Sequence, residues 1–454
     1  MSILEYVPVG WTLEPHQKKL LLEYERIPEY VRVVAIEAPV AAGKSLLGYV
    51  IASFEAARWR AQSTIMVRDN ALISQIKGDF PDVLVAPYRG YTSEQEWENR
   101  KGAYARAPIR LANYYQHLSM RIYPHTLIID EFHQAAGVLQ DFEGVKLWHH
   151  LIGMPEHIRR FDEACRWIAE EKQEKGCHST VKKAFKLINK DASNITYEWG
   201  VEDYRGTERT FLRLFPLTPK NNSPIFWPPS KVKRIVVMSA TLAPDDIIDV
   251  GLGKAKSTWL KCDSSIPVER RLCIYEPFGN MSFYKAAHDL GKMALGIEWL
   301  AERHSGRGII HITYGLAGNL GDALRRLPSV SKRIITHSPA NKAQRFREWQ
   351  ASPDGILIAA GMAEGIDLKY DKARWQVIAK IVWPNKMDKA IAAKMEERPD
   401  WYGWETLKIV MQQYGRICRR PDDEGVTYIC DEQFTQLLKK SGHLAAKWFR
   451  QALR

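Results

Sequence analysis

Short apolar runs rich in β-branched residues recur along the chain, each followed by a stretch with helical spacing. VRVVAIEAP (31–39) reads as a strand, AAGKS as a turn, and LLGYVIASFEAARWRA (46–61) as an amphipathic helix. STIMV (63–67), the helix-like NALISQIKGDF (70–80) and the run ending LIID (127–130) continue the alternation. Alternating β and α units predict a parallel sheet with helices on both faces. Between 141 and about 200 the pattern changes to Lys, Glu, Arg and Trp at helical spacing without strong strand runs, which predicts a helical insertion. Strand signals return at RTFLRLFPL (209–217) and RIVVMSATL (234–242), and CDSSIPVERR (262–271) reads as a linker. A second alternating region follows through RGIIHIT (307–313), RIITHS (333–338), DGILIAAG (354–361), QVIAKIVWP (376–384) and GVTYICD (425–431). The expected organisation is one α/β domain over 1–140 and 206–265, an insertion over 141–205, and a second α/β domain over 266–454.

Composition narrows the class. The 454 residues are 45% hydrophobic, enough for several buried cores. Lys and Arg outnumber Asp and Glu by 65 to 53, which favours a polyanionic partner, nucleic acid foremost. The six cysteines are scattered without zinc spacing and read as reduced, buried small side chains. No leader pattern and no membrane-spanning run is evident, so a soluble protein of the cytoplasm, in a bacterial or phage-infected cell, is expected.

Several motifs carry chemistry. APVAAGKS (38–45) matches the phosphate-binding loop except that Ala38 stands at its first glycine. Backbone N–H groups around Ala42 and Gly43 and the following helix N-terminus would cradle phosphates, Lys44 would reach the β and γ phosphates, and Ser45 would bind Mg2+. DEFH (130–133) closes an apolar strand with two carboxylates; Asp130 fits as a Mg2+ ligand and Glu131 as the base or orienter of an attacking water. Alone, such a pair is compatible with a chain turning into solvent. QQYGRICRR (412–420) places Arg416 and Arg419 three apart, on one helix face, where they can converge on a polyphosphate beside Gln412. SATL (239–242), with Ser239 and Thr241, and GMAEGIDL (361–368), with Glu364 and Asp367, supply polar groups suited to relaying nucleotide state.

In their order, these motifs resemble those of superfamily 2 helicases of the XPD/DinG-like branch. EAPVAAGKS is similar to motif I, DEFH to motif II, SATL to motif III, AEGIDL to motif V and QQYGRICR to motif VI. The resemblance implies an α/β architecture of two RecA-like parallel-sheet motor domains, with a helical, arch-like insertion in the first. It implies ATP and Mg2+ as ligands, with catalytic roles for Glu131, Gln412, Arg416 and Arg419, nucleotide contact by Asp367 and coupling through His133, Ser239, Thr241 and Glu364. Gln17 is similar to a glutamine that reads adenine. Arg68, Asn70, His337 and Ser338 lie at places similar to nucleic-acid-contacting motifs. The interval 87–107, with Tyr88 and Arg89, mixes aromatic and basic residues as base stacking beside phosphates requires. Many relatives carry four cysteines for an iron–sulfur cluster between motifs I and II, whereas this chain has none from Ser45 to Asp130, so no cluster is expected.

The expectation is a monomeric, ATP-dependent DNA helicase or translocase on single-stranded or forked DNA, 5′ to 3′, working with replication or repair proteins. An ATP-driven remodelling or loading factor and an RNA-directed helicase are the alternatives.

Overall fold

The computed structural model describes residues 2–88, 90, 93–174, 176–190, 192–204, 206–219, 226–362, 368 and 370–454. The first domain gathers β1 (Val33–Glu37), β2 (Ser63–Val67), β3 (Leu84–Val85), β4 (Ile109–Asn113) and β5 (Thr126–Ile129). After an insertion holding β6 (Val145–Trp148), β7 (Ile195–Asp203) and β8 (Glu208–Pro216), the chain returns with β9 (Arg234–Ser239) and β10 (Ser257–Lys261). These seven strands form one parallel sheet in the order β10-β1-β9-β5-β2-β4-β3. The second domain contributes β11 (Cys273–Gly279), β12 (Gly308–Ile312), β13 (Ile334–Ile335), β14 (Ile356–Ala360), β15 (Trp375–Ile378) and β16 (Val426–Asp431), parallel in the order β11-β16-β15-β12-β14-β13.

The near-continuous apolar runs of these strands follow from burial on both faces. Val34 and Ile36 of β1 pack with Leu47, Val50 and Ile51 of the helix Lys44–Trp59, while Val33 and Ala35 meet Ile235, Val237 and Trp227 on the opposite face. Five of the six cysteines are buried and all six are free, as their scatter implied. No helix among the described residues is long and apolar enough to cross a membrane.

The order of strands does more than build a core. Register pairs Glu37 of β1 with Ser239 of β9, and Ile129 of β5 with Val237. Three motifs roughly a hundred residues apart thereby end at neighbouring strand tips, the edge where open α/β sheets bind ligands.

The insertion departs from the helical expectation. Its helices Phe161–Glu171 and Ser179–Lys190 cover a three-stranded antiparallel sheet, β6-β8-β7. Leu147, Leu212 and Leu214 face those helices, whereas β7 alternates polar and aromatic residues around Gly200 and so shows no apolar run. β8, read as a strand of the first α/β domain, pairs instead with β6 and β7. The insertion's sheet therefore extends past residue 205.

An acidic helix, Pro244–Asp249, reaches from the first domain to the second. Lys408 Nζ meets Asp246 Oδ1 at 2.8 Å, Lys394 Nζ meets Asp249 Oδ2 at 3.0 Å, and Arg398 binds Asp245 at 2.6 Å and also Asp249. Lys408 and Asp246 are both buried. Removing one member of a buried pair strands the other charge, so Lys408→Ala is expected to cost about 3–5 kcal/mol. In a thermal melt Lys408→Ala should unfold well below the parent, and the doubly neutral Asp246→Asn/Lys408→Met should recover part of the loss. A Lys408→Ala protein melting with the parent contradicts this interface.

Candidate functional site at the domain junction

The phosphate-binding loop leaves β1 at Ala38, whose N–H donates to Ser239 O at 2.9 Å. Ala41 (φ 67°) and Gly43 (φ 76°) take left-handed conformations, while Ala38, at the substituted glycine position, does not. The substitution therefore falls where alanine is tolerated. Gly43 is required by a close approach as well as by its φ: a Cβ there would lie 2.2 Å from Gln17 Nε2. Lys44 opens the helix directly after the loop, with Ser45 next to it.

Gln17 is buried behind the loop and does not line the cleft. Its Nε2 donates to Ala42 O at 3.0 Å and its Oε1 accepts from Glu14 N at 3.0 Å. In this structure its carboxamide braces the loop, a different use from the adenine reading expected of it.

Asp130 and Glu131 follow β5. Glu131 sits at φ 50°, a left-handed conformation costing about 1–2 kcal/mol in a non-glycine residue. Phe132, next in the chain, has its ring buried in the core beneath. Asp130 Oδ1 accepts the Glu131 N–H at 2.9 Å, and Lys44 Nζ lies 3.5 Å from Glu131 Oε1. Burial and the adjacent Glu131 charge push the Asp130 carboxyl above the usual carboxylate range. Burial acts the same way on Glu131 but is outweighed by Lys44 foremost, with Arg416 and Arg419, which hold it below that range. Two adjacent acids are thus driven apart into different roles.

A polar relay runs from this strand tip into the second domain. His133 Nδ1 is 2.9 Å from Ser239 Oγ and 3.4 Å from Glu131 Oε2. The Ser239 hydroxyl is fixed by Thr241, donating to Thr241 O and accepting from Thr241 N, each at 3.1 Å. Gln412, near the end of the helix Trp401–Tyr414, donates through Nε2 to Thr241 Oγ1 at 2.9 Å and points at His133 Nε2 at 3.4 Å. An amide N–H facing Nε2 assigns the His133 proton to Nδ1, toward Ser239 and Glu131. Gln412 Oε1 in turn accepts from Arg416 at 3.4 Å.

Lys44, Glu131, His133, Gln412, Arg416 and Arg419 line one cavity of about 340 Å³ between the domains. Arg419 is oriented by donating its backbone N–H to Asp423 Oδ2 at 2.9 Å and its guanidinium to Gly415 O at 3.2 Å. Arg68, expected at nucleic acid, lines this same cavity with Asp69. Asn70 is tied to Asn113 at 3.0 Å beside it.

The remaining nucleic-acid candidates lie elsewhere. His337 and Ser338 follow β13; Tyr314 stacks edge-on against His337 at 5.8 Å, and Ser338 N donates to Asn341 at 2.8 Å. Tyr88 is largely exposed. Beyond it the interval forms a helix, Glu94–Arg106, and turns Tyr104 inward, where its ring meets the Arg110 guanidinium 5.5 Å away. Arg89, Glu364 and Asp367 lie outside the described residues. The cationic grip of Lys394, Arg398 and Lys408 on the acidic helix has no counterpart in the motif reading; its only signal was PDDIID after SATL.

A family model for a helicase C-terminal domain matches residues 309–452. ATP-dependent DNA helicase YoaA of Escherichia coli (strain K12) is 23% identical over 218 residues, covering 44% of this chain and 33% of that protein. The chain thus matches about a third of this relative's length. Among solved structures, Xpd4 of S. tokodaii superposes with a TM-score of 0.61 at 13% identity, covering 97% of this chain and 99% of the other. An XPD helicase gives a TM-score of 0.62 at 14% identity, covering 96% and 99%. Residues 309–452 thus match a helicase C-terminal domain, and the chain as a whole shares the two-domain fold of the solved XPD structures.

Proposed function

We propose that this protein is an ATP-dependent motor on single-stranded DNA that unwinds forked DNA in the 5′ to 3′ direction, in replication, repair or recombination. The observation that carries the reading is an interdomain cavity in which Lys44 and Glu131 of the first domain face Arg416 and Arg419 of the second. A site split between two domains makes hydrolysis depend on their closure. The polarity and the preference for DNA rest on the likeness to the XPD/DinG-like branch.

The arrangement of the cleft supports the following division of work. Lys44, now beside Glu131, is the group that passes to the β and γ phosphates when ATP binds, which frees the Glu131 carboxylate. Glu131, held ionised by its surroundings, accepts a proton from the attacking water. Arg416 and Arg419 stabilise charge on the γ-phosphoryl group. The Ser45 hydroxyl and the Asp130 carboxylate form a hard oxygen donor set suited to Mg2+, and burial of Asp130 beside a second acid leaves that carboxylate in want of a cation. Bound there, the ion would neutralise phosphate charge. The relay His133–Gln412–Arg416 carries the state of the strand tip to the second domain, and the likeness to the branch gives Asp367 a nucleotide contact and Glu364 a coupling role.

Arg416→Ala should lower kcat for ATP hydrolysis about 10³-fold or more while leaving nucleotide affinity near that of the parent. Steady-state ATPase with a fluorescent-nucleotide titration checks this, and an unchanged kcat removes Arg416 from the catalytic group. Strand displacement on forks with a 5′ or a 3′ single-stranded tail tests the function itself. Displacement from the 5′ tail alone is expected; a preference for the 3′ tail overturns the polarity, and translocation without displacement replaces the helicase by a remodelling factor.

A further inference from the structure

Six non-glycine residues among those described hold a left-handed backbone, and four of them have an evident reason. Arg60 and Arg121 close helices, where that conformation is routine. Ala41 and Glu131 line the ATP cleft. The other two, Tyr370 (φ 56°) and Cys418 (φ 59°), belong to separate stretches of the second domain and meet at one residue, Asp423. Strain of this kind persists only where the surroundings over-determine it, and it gathers at functional sites.

Asp423 is fully buried in the turn between the helix Trp401–Tyr414 and β16, and it does not line the cleft. Each of its carboxylate oxygens takes two donors. Oδ2 accepts the N–H of Arg419 at 2.9 Å and that of Tyr370 at 3.0 Å, while Oδ1 accepts the N–H of Glu424 at 2.9 Å and Arg374 Nη1 at 3.2 Å. With its lone pairs so occupied, the carboxylate fixes every group it holds, because each would lose a buried partner on moving. Asp423 N also donates to Arg420 O at 3.0 Å, and Cys418 Sγ lies 3.4 Å from Asp423 O. Arg416 and Arg419 flank Cys418 beyond the end of the helix, so this turn, rather than a shared helix face, brings both into the cleft. Tyr370 is bound to the same turn by its side chain, whose hydroxyl donates to Asp422 at 3.3 Å and whose ring lies 5.7 Å from the Arg420 guanidinium. Leu368, two residues earlier, bridges in parallel to Ile417.

We propose that Asp423 is a positioning residue for ATP hydrolysis: through Oδ2 it holds the turn that presents Arg419 to the cleft, and it joins that turn to the chain at Tyr370. Because one oxygen holds both N–H groups, a displacement at Tyr370 moves Arg419. A guanidinium misplaced by about 1 Å from the group it stabilises loses much of its effect on the transition state. The inference rests on the motor reading above and adds to it the residue that sets where the second arginine stands.

The test is steady-state ATP turnover of the full chain, alongside titration of a fluorescent ATP analogue. Asp423→Asn, which turns an amide N–H toward donors that need an acceptor, should lower kcat about tenfold or more and leave nucleotide affinity near that of the parent. In an Arg419→Ala background the same substitution should lower kcat little further, because it acts through that arginine. Multiplied losses in the double variant, or affinity falling in step with kcat, assign Asp423 to general stability and overturn the positioning role. If Asp423→Asn does not fold, Cys418 decides: Cys418→Val, β-branched and driven out of the left-handed region, should lose turnover well beyond Cys418→Gly, which adopts it freely. Equal turnover in these two variants overturns the proposal. A parent that turns over no ATP overturns the motor reading itself, whereas a parent with normal turnover beside an indifferent Asp423→Asn overturns only the positioning role.

Discussion

The ionised Glu131 carboxylate exists in a buried cleft only because cations from separate stretches of chain converge on it. Asp130, its neighbour, repels it, and both lose hydration at the end of a buried strand. Lys44 from the phosphate-binding loop supplies the largest opposing charge, 3.5 Å away, His133 of the same domain acts in the same direction, and Arg416 and Arg419, just past the helix Trp401–Tyr414, add to it from the second domain. The electrostatic requirement of two acids thereby fixes where both the loop and the second domain must stand. On the proposed function, nucleotide phosphates would compete for those same cations.

The parallel sheets serve this constraint. Because β9 lies between β1 and β5, Ser239 stands between the phosphate-binding loop and the acids, within reach of His133. Thr241, two residues on, meets Gln412 from the other domain. The acidic helix that follows then fastens to Lys394, Arg398 and Lys408. A single stretch, 239–249, thus contacts the catalytic strand tip at one end and carries an interdomain ion-pair cluster at the other. The same stretch also meets the second domain through an apolar seam, where Ala240 and Ala243 pack in one cluster with Trp404, Leu407 and Met411.

The nucleotide-binding half of this arrangement was legible in the sequence because it is local: a loop, a strand end and a helix face each announce themselves within ten residues. Lys44, Glu131, Gln412, Arg416 and Arg419 line one cavity. Readings that depended on direction fared differently. Gln17 lies behind the loop, and Arg68 enters the nucleotide cleft, because spacing does not say which way a side chain leaves the backbone. The antiparallel sheet of the insertion was hidden because β7 mixes polar and aromatic residues, and β8 looked like a strand of the main sheet until its pairing was known.

The central claim is that hydrolysis at Glu131 is coupled to a nucleic-acid strand through closure of the two domains. The direct measurement is steady-state ATP turnover with and without a single-stranded DNA oligonucleotide, with Lys44→Ala as the control. The account predicts that the strand raises turnover severalfold and that Lys44→Ala abolishes turnover in both conditions. Turnover indifferent to the strand, together with undiminished turnover in Lys44→Ala, would contradict it.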